Sequence, residues 1–287
     1  SREIIRMKKY FLIILGLCYF GVFWMLNELP DGKIHVDFLD VGQGDAVFIK
    51  SSYGHNVLID GGPKSDVLVE LNRRIPFFMK EIDLMVLTHP HSDHLDGLIK
   101  VLERYKVENV LITGVEYKNS YYKEFLKDIA EKAGQNSLKI HFAEANFDFV
   151  VGDIYFDTIY PIKSIVGKNF KNINNSSIGF LIKFSDKNGG IHRVLLNGDN
   201  EKEAEDAIIK TYSANYADIE IFKASHHASK TANTIGFLEK FRPKNVVISC
   251  GEGNSFGHPH QESLLNFQKI GAAVFRTDLS GTIQFEW

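Results

Sequence analysis

Residues 88–97 read Thr88-His89-Pro90-His91-Ser92-Asp93-His94-Leu95-Asp96-Gly97, and the reading of this stretch decides the fold. Three histidines and an aspartate follow one another in the pattern His-x-His-x-Asp-His. An apolar run, Leu84-Met85-Val86-Leu87, enters it, and a helical pattern leaves it over residues 95–105. Imidazoles two positions apart, His89 and His91, reach one metal from an extended or tightly turned backbone. Asp93 and His94 turn toward a second metal. Nitrogen and carboxylate ligands of this kind suit Zn²⁺, with Mn²⁺ and Fe²⁺ as alternatives. The plainer reading is a polar turn whose histidines only form hydrogen bonds. The density of potential ligands argues against it.

The surrounding composition is that of a folded protein. Of the 287 residues, 44% are hydrophobic, which excludes wholesale disorder and allows one large domain or two small ones. Cys18 sits in an apolar segment and Cys250 ends an apolar strand, so no disulfide framework is expected. The net charge is −3. The first thirty residues carry four bases and two acids, which leaves −5 on the remainder. That is not the footprint of a strong, non-specific DNA binder, though a local basic groove is compatible with it.

Residues 10–26, YFLIILGLCYFGVFWML, form an uncharged and mostly apolar run at the short end of the membrane-spanning range. Arg2, Arg6, Lys8 and Lys9 precede it, and Glu28 and Asp31 follow. The positive-inside rule places the N-terminus in the cytoplasm and the rest outside. The expectation is a single-pass signal anchor within residues 1–32, ahead of a hydrolase domain at 33–287. A secreted or a cytoplasmic location is the alternative. A cleavable signal peptide and a buried core helix compete, but no small-x-small cleavage pattern follows the run.

From residue 34 onward, short apolar strands are predicted at 34–41, 46–50 and 56–60, joined by turns of hairpin character. An antiparallel start follows. Helices are predicted at 65–75, 95–105, 121–132, 201–210, 235–241 and 262–270. Strands are predicted between them at 107–112, 138–142, 154–160, 178–184, 193–196, 219–223 and 245–250, and at the end at 272–276 and 282–285. Strands in groups with interspersed helices fit two sheets with outer helices.

Three later stretches offer partners for the histidine motif. Leu195-Leu196-Asn197-Gly198-Asp199 is a strand ending in an aspartate, and a carboxylate there can bridge two metals. A helix cap is the competing role. Lys223-Ala224-Ser225-His226-His227-Ala228 puts paired histidines just after another strand, one free to bind metal while the other faces a substrate. Gly257-His258-Pro259-His260 precedes a helix and either shapes a pocket or only caps that helix.

The motif itself resembles the signature of the metallo-β-lactamase superfamily. Together with Phe38-Leu39-Asp40-Val41-Gly42-Gln43-Gly44-Asp45-Ala46, Asp60-Gly61-Gly62, Asn174-Asn175-Ser176-Ser177 and the three stretches above, it is similar to one branch. That branch is ComEC-like, the C-terminal hydrolase domain of the channel protein of bacterial DNA uptake. The resemblance covers residues 33–287. It implies an α/β (α+β) fold, a four-layer αββα sandwich with two divalent metal ions, Zn²⁺ or Mn²⁺, at one end of the sheets.

The same resemblance implies roles. His89, His91 and Asp199 would hold one metal; Asp93, His94, Asp199 and His227 would hold the other. A hydroxide between the metals would attack phosphorus, with Asp93 and His226 as catalytic side chains. Asn175, Ser177, Lys223, His226, His258 and His260 would contact substrate. Asp45 and Asp60 would shape the site from behind the ligands. Many superfamily members have another metal-binding histidine where residues 174–177 stand, so the His89/His91 side is expected to be one ligand short. The family also usually has glycine and threonine at the positions of Ala228 and Asn197. The full channel protein has many membrane spans, so a pore role does not carry over.

The function implied is phosphodiester hydrolysis, foremost of DNA outside the membrane, with DNA-uptake channel components as possible partners. Alternatives are an esterase of small phosphodiesters such as phosphorylcholine, another ester or lactam hydrolase, and a non-enzymatic binding module on a membrane anchor.

Overall fold

In a computed structural model of the chain, the alternating strands and helices form two seven-stranded sheets. The structure describes residues 2–27, 29–212 and 218–287, apart from the side chains of residues 2, 3, 5 and 24–27. The first sheet takes β1 (His35–Phe38), β2 (Val47–Lys50), β3 (Asn56–Ile59), β4 (Glu81–Val86), β5 (Lys106–Ile112) and β6 (Lys139–Phe142), with the last strand, β14 (Ile283–Glu286), beside β1. The second takes β7 (Phe149–Val151), β8 (Ile154–Tyr160), β9 (Gly179–Ser185), β10 (Ile191–Leu196), β11 (Ile221–Lys223), β12 (Asn245–Ile248) and β13 (Ala273–Arg276).

Both sheets change character midway. From β14 to β3 and from β7 to β10 the neighbours are antiparallel; from β3 to β6 and from β10 to β13 they are parallel. A parallel pair needs a crossover, and each is bridged by a helix. These are α2 (Asp66–Asn72), α3 (Ser92–Arg104) and α4 (Ser120–Gly134) in the first half, and α5 (Lys202–Thr211), α6 (Ile235–Phe241) and α7 (Gln261–Lys269) in the second. A short α8 (Thr277–Ser280) precedes β14.

Strand side chains alternate between two environments, as a pleated sheet requires. Val36, Phe38, Val47, Ile49, Val57 and Ile59 join Phe156, Phe180, Ile182, Val194 and Ile221 in the layer between the sheets. Phe48, Leu58 and Met85 face outward beneath α2, α3 and α4, against Leu71, Leu98 and Phe125. On the far side Leu181, Leu195 and Phe222 meet Ile208, Phe237 and Phe267. The order is helix, sheet, sheet, helix, which is the expected αββα layering.

Residues 10–26 lie in α1 (Arg2–Asn27). The described apolar side chains of this helix, among them Phe11, Leu12, Ile14, Leu17 and Phe20, are exposed. The expected membrane span is not shown: among the described residues no helix is long and apolar enough to cross a membrane. The run continues past Phe23 into side chains outside the described set, Trp24 among them. Cys18 is exposed, Cys250 is buried, and both are free thiols, as expected.

Candidate metal centre

The site gathers at the carboxyl ends of strands near the point where each sheet turns from antiparallel to parallel. Chain reversals there leave loop residues free of the ladder, as in other open α/β sheets. From the first sheet, β3 runs into Asp60, and β4 runs into Thr88, His89 and the start of α3. From the second, β10 runs into Asp199, β11 into His226 and His227, and β12 into the loop that carries His258.

Asp93, His94, Asp199 and His227 bring one ligand atom each within 4.8 Å of one another. His94 Nε2 lies 3.2 Å from Asp199 Oδ2. His227 Nε2 lies 3.4 Å from the same oxygen and 3.3 Å from Asp93 Oδ2. His89 Nε2 stands 3.9 Å from Asp199 Oδ2 and 3.1 Å from His91 Nδ1. His89, His91 and Asp199 therefore adjoin the first group on one side.

The far nitrogen of two rings is already engaged. His94 Nδ1–H donates to Asp60 Oδ2 at 2.8 Å, and His227 Nδ1–H donates to the Ser249 carbonyl at 2.9 Å. Each ring then turns its Nε2 lone pair into the cluster, the arrangement that fixes a metal-binding tautomer. His94 Nε2, His227 Nε2 and Asp199 Oδ1 are buried and accept or donate no hydrogen bond. Such orphaned polar atoms are costly without a partner, and a divalent cation satisfies all three. The donor set, imidazoles and carboxylates, fits Zn²⁺ or Mn²⁺.

Without a cation, burial lowers His94 and His227, but the carboxylates around them, Asp199 foremost, carry both well above the ordinary imidazole value, so a metal would take the place of a proton on each Nε2. Burial raises the Asp199 carboxyl, but His227, His94 and His226 outweigh it and hold the group well below the usual carboxylate range. Asp93 behaves alike: burial opposes, and His94 and His227 carry it well below the ordinary value. Burial, with His94 beside it, pushes His89 well down, so its ring is neutral and able to ligate.

Asp60 is set by local structure. Its φ of 61° turns the backbone sharply after β3, and its carboxylate accepts from Thr88 N–H at 2.8 Å and Thr88 Oγ1 at 2.7 Å. Asp45 faces the cluster from the β1–β2 loop, with His227 Nδ1 3.2 Å from Oδ1. Gly44 is required here, because a Cβ would stand 2.3 Å from the Asp93 carbonyl.

The paired histidines sit on strained backbone. His226, His227 and Ala228 have φ of 49°, 52° and 62°. Three consecutive left-handed non-glycine residues cost on the order of 1–3 kcal/mol each. Asn233 holds the turn, accepting from Ser225 N–H at 2.9 Å and donating to the Ser225 carbonyl at 2.9 Å. The same φ explains why glycine suits the position of Ala228. Asn197, in place of threonine, donates to Ser225 Oγ at 3.0 Å and so joins the ends of β10 and β11.

His226 and His227 then diverge. His226 Nδ1 is 3.2 Å from Glu201 Oε1, and its Nε2 is 3.9 Å from Asp199. Burial raises Glu201, but His226 and Asn174 bring it down to about 2, so it is a carboxylate beside the ring. Burial, helped by His227 and His226, pushes His258 down to about 4.

A cavity of about 570 Å³ opens above the cluster, lined by Asp93, His91, His226, His227 and His258 together with Val41, Pro63, Lys64 and Phe256. Several expected substrate contacts are not on it. Lys223 is 1% exposed and pairs with Asp45 beneath the site, out of reach of a substrate phosphate. Asn175 is buried, accepting from Glu201 N–H at 2.8 Å and donating to Glu203 at 3.2 Å. Ser177 is buried and its Oγ accepts from Asp199 N–H at 3.0 Å, which orients the aspartate. His260 accepts from Lys230 N–H at 3.3 Å and packs on His258 instead of lining the cavity. The sequence reading passed over Glu201, Gln43 and Phe256. Glu201 follows Asp199 by two positions and reads as a helix start; Gln43 stands inside the 38–46 stretch without a role of its own, and Phe256 carries no signal outside its three-dimensional context.

Comparison with known proteins places this geometry. Residues 39–166 match the model of the metallo-β-lactamase superfamily. The chain is 28% identical over 98% of its length to ComE operon protein 3 of Bacillus subtilis, covering 37% of that protein. It is 24% identical over 90% of its length to competence protein ComA of Neisseria gonorrhoeae, covering 33% of it. The chain thus spans about a third of the length of these curated relatives. Among solved structures, the metallo-β-lactamase fold protein YhfI from Bacillus subtilis superposes with a TM-score of 0.55 at 12% identity, over 90% of this chain and 100% of that one. That likeness is one of fold.

Proposed function

Because residues 39–166 match the metallo-β-lactamase superfamily and the chain is similar to ComEC-type competence proteins, we propose that it is a metal-dependent phosphodiesterase whose substrate is DNA. The observation that carries the proposal is the convergence of Asp93, His94, Asp199 and His227, with buried unpaired ligand atoms, on the floor of an open cavity. Divalent ions bound there supply Lewis acidity and a water that ionises near neutral pH. The competence relatives support DNA as the substrate.

The chain's own residues divide the remaining work. Asp60 and the Ser249 carbonyl hold His94 and His227 with their Nε2 atoms inward. Ser177 orients Asp199. His226 is held by Glu201 and half-faces the cavity, so its Nε2 can pass a proton to a leaving oxygen. Lys223 offsets the negative charge of Asp45 from below. We further propose that α1 anchors the chain in a membrane with the hydrolase domain outside. Arg6, Lys8 and Lys9 ahead of its apolar run support this orientation.

The test is to load the full chain with Mn²⁺ or Zn²⁺ and assay single-stranded DNA, duplex DNA and bis(p-nitrophenyl) phosphate. DNA cleavage that EDTA abolishes and His91→Ala lowers by at least about a hundredfold is expected. Turnover of the small diester with no DNA cleavage under either metal would overturn the assignment to DNA. Undiminished activity in His91→Ala would overturn the metal mechanism.

A further inference from the structure

The loop between β12 and α7 presents Phe256 at the cavity rim with 63% of its surface exposed. Exposed phenylalanines are common and usually need no explanation. This one differs in its support. Its ring lies 5.8 Å from the ring of His258 at an interplanar angle of 17°, a parallel stack. His258 is itself 9% exposed and packed edge-on against His226, centroids 5.4 Å apart. A ladder of rings thus runs from the rim to the histidine beside the metal cluster.

The loop is also clamped. Asn254 accepts from His258 N–H at 3.0 Å and donates to the His258 carbonyl at 2.7 Å and to the Gly251 carbonyl at 2.9 Å. Gln43 Oε1 accepts from Gly251 N–H at 3.2 Å, tying the loop to the β1–β2 turn. A Cβ on Gly251 would stand 2.7 Å from the Gln43 nitrogen, so the two loops meet backbone to backbone. Phe256 is therefore held in place with its outer face open. Val41 and Pro63 line the same cavity and keep that part of it apolar. Among the described lining residues Lys64 is the one Lys or Arg, so a long phosphate-tracking groove is absent there.

We propose that Phe256, backed by His258, is a stacking platform for a nucleobase adjoining the scissile phosphate. It gives the site a preference for single-stranded DNA, whose bases are free to leave their own stack. Every base has a π-face, so the platform confers no sequence preference. The inference rests on the reading of the chain as a DNA phosphodiesterase.

The full chain loaded with Mn²⁺ is assayed on oligothymidylate and on an oligomer of equal length whose units are abasic tetrahydrofuran sugars. Phe256→Ala is expected to raise KM for oligothymidylate on the order of tenfold with kcat little changed, the size expected of one lost base stack. KM for the abasic oligomer stays the same, and Phe256→Trp restores the wild-type value. Thermal midpoint and metal content report that the variants are folded. An unchanged KM in Phe256→Ala, or an equal rise on both oligomers, overturns the platform and leaves the nuclease reading standing. If the wild type turns over bis(p-nitrophenyl) phosphate but neither oligomer, the nuclease reading fails and the platform with it.

Discussion

Asp60 shows how one residue joins backbone geometry to site chemistry. Its left-handed φ places the carboxylate where it receives Thr88 and His94 together. Asparagine tolerates the same backbone conformation, so Asp60→Asn preserves the turn while removing the negative charge behind His94. Metal affinity is expected to fall about 10–100-fold, with the fold intact by circular dichroism. Competition titration against a chromogenic chelator measures it; an unchanged affinity would show that the His94–Asp60 bond serves only packing. At this scale the sequence was legible where several ligand types crowd together, as in residues 89–94. It was legible again where a polar residue ends an apolar strand, as at Asp199 and His227. It misled where burial decides the role. Lys223, Asn175 and Ser177 have the chemistry of phosphate contacts, but the protein surrounds them, and only the folded chain shows that.

The element that connects the Asp199 loop to the paired histidines of the second half is α5. Its Glu205 is buried and accepts from Asn233 N–H at 2.7 Å, Thr234 N–H at 2.9 Å and Thr234 Oγ1 at 2.7 Å. Asn233 in turn holds the strained turn at Ser225, so α5 braces the paired histidines through two side chains. Burial pushes Glu205 up to about 7 in spite of its donors. Its folded value lies above the unfolded one, so the native state keeps a proton that the unfolded state releases. This contribution is full below about pH 4.5 and is lost as pH rises through about 7, in total about 3 kcal/mol. Glu205→Gln is expected to flatten that part of the stability curve, measured by urea unfolding across the window. A slope equal to the wild type's would remove Glu205 as its source. Most elements were legible from apolar periodicity, among them α6 (Ile235–Phe241) and β8 (Ile154–Tyr160), whose bounds coincide with expectation. The three-residue β7 was not, because so short an edge strand leaves no period to read. The parallel halves of both sheets were also hidden, since pairing partners distant in sequence leave no local trace.

At the scale of the whole molecule, α1 stands apart from the sandwich in chemistry: its described apolar side chains are exposed. If it is an anchor, the full chain will sediment with membranes, and external protease will remove the hydrolase domain from intact cells. Recovery of the full chain in the soluble fraction would discard that role. The layered architecture was legible in the grouping of strands and helices. The place of the site within it was not, because it depends on the loops at the mid-sheet switch of one sheet meeting those of the other.

The ligands come from opposite halves of that sandwich: Asp93 and His94 from the first, Asp199 and His227 from the second. A nascent chain carries its first histidines long before His227 has been synthesised. The centre therefore comes into being only when translation has passed the second half and the two sheets have closed on each other. Partial products, whether stalled on the ribosome or clipped by proteases, are chemically mute. A centre divided in this way stays silent until both of its halves are made.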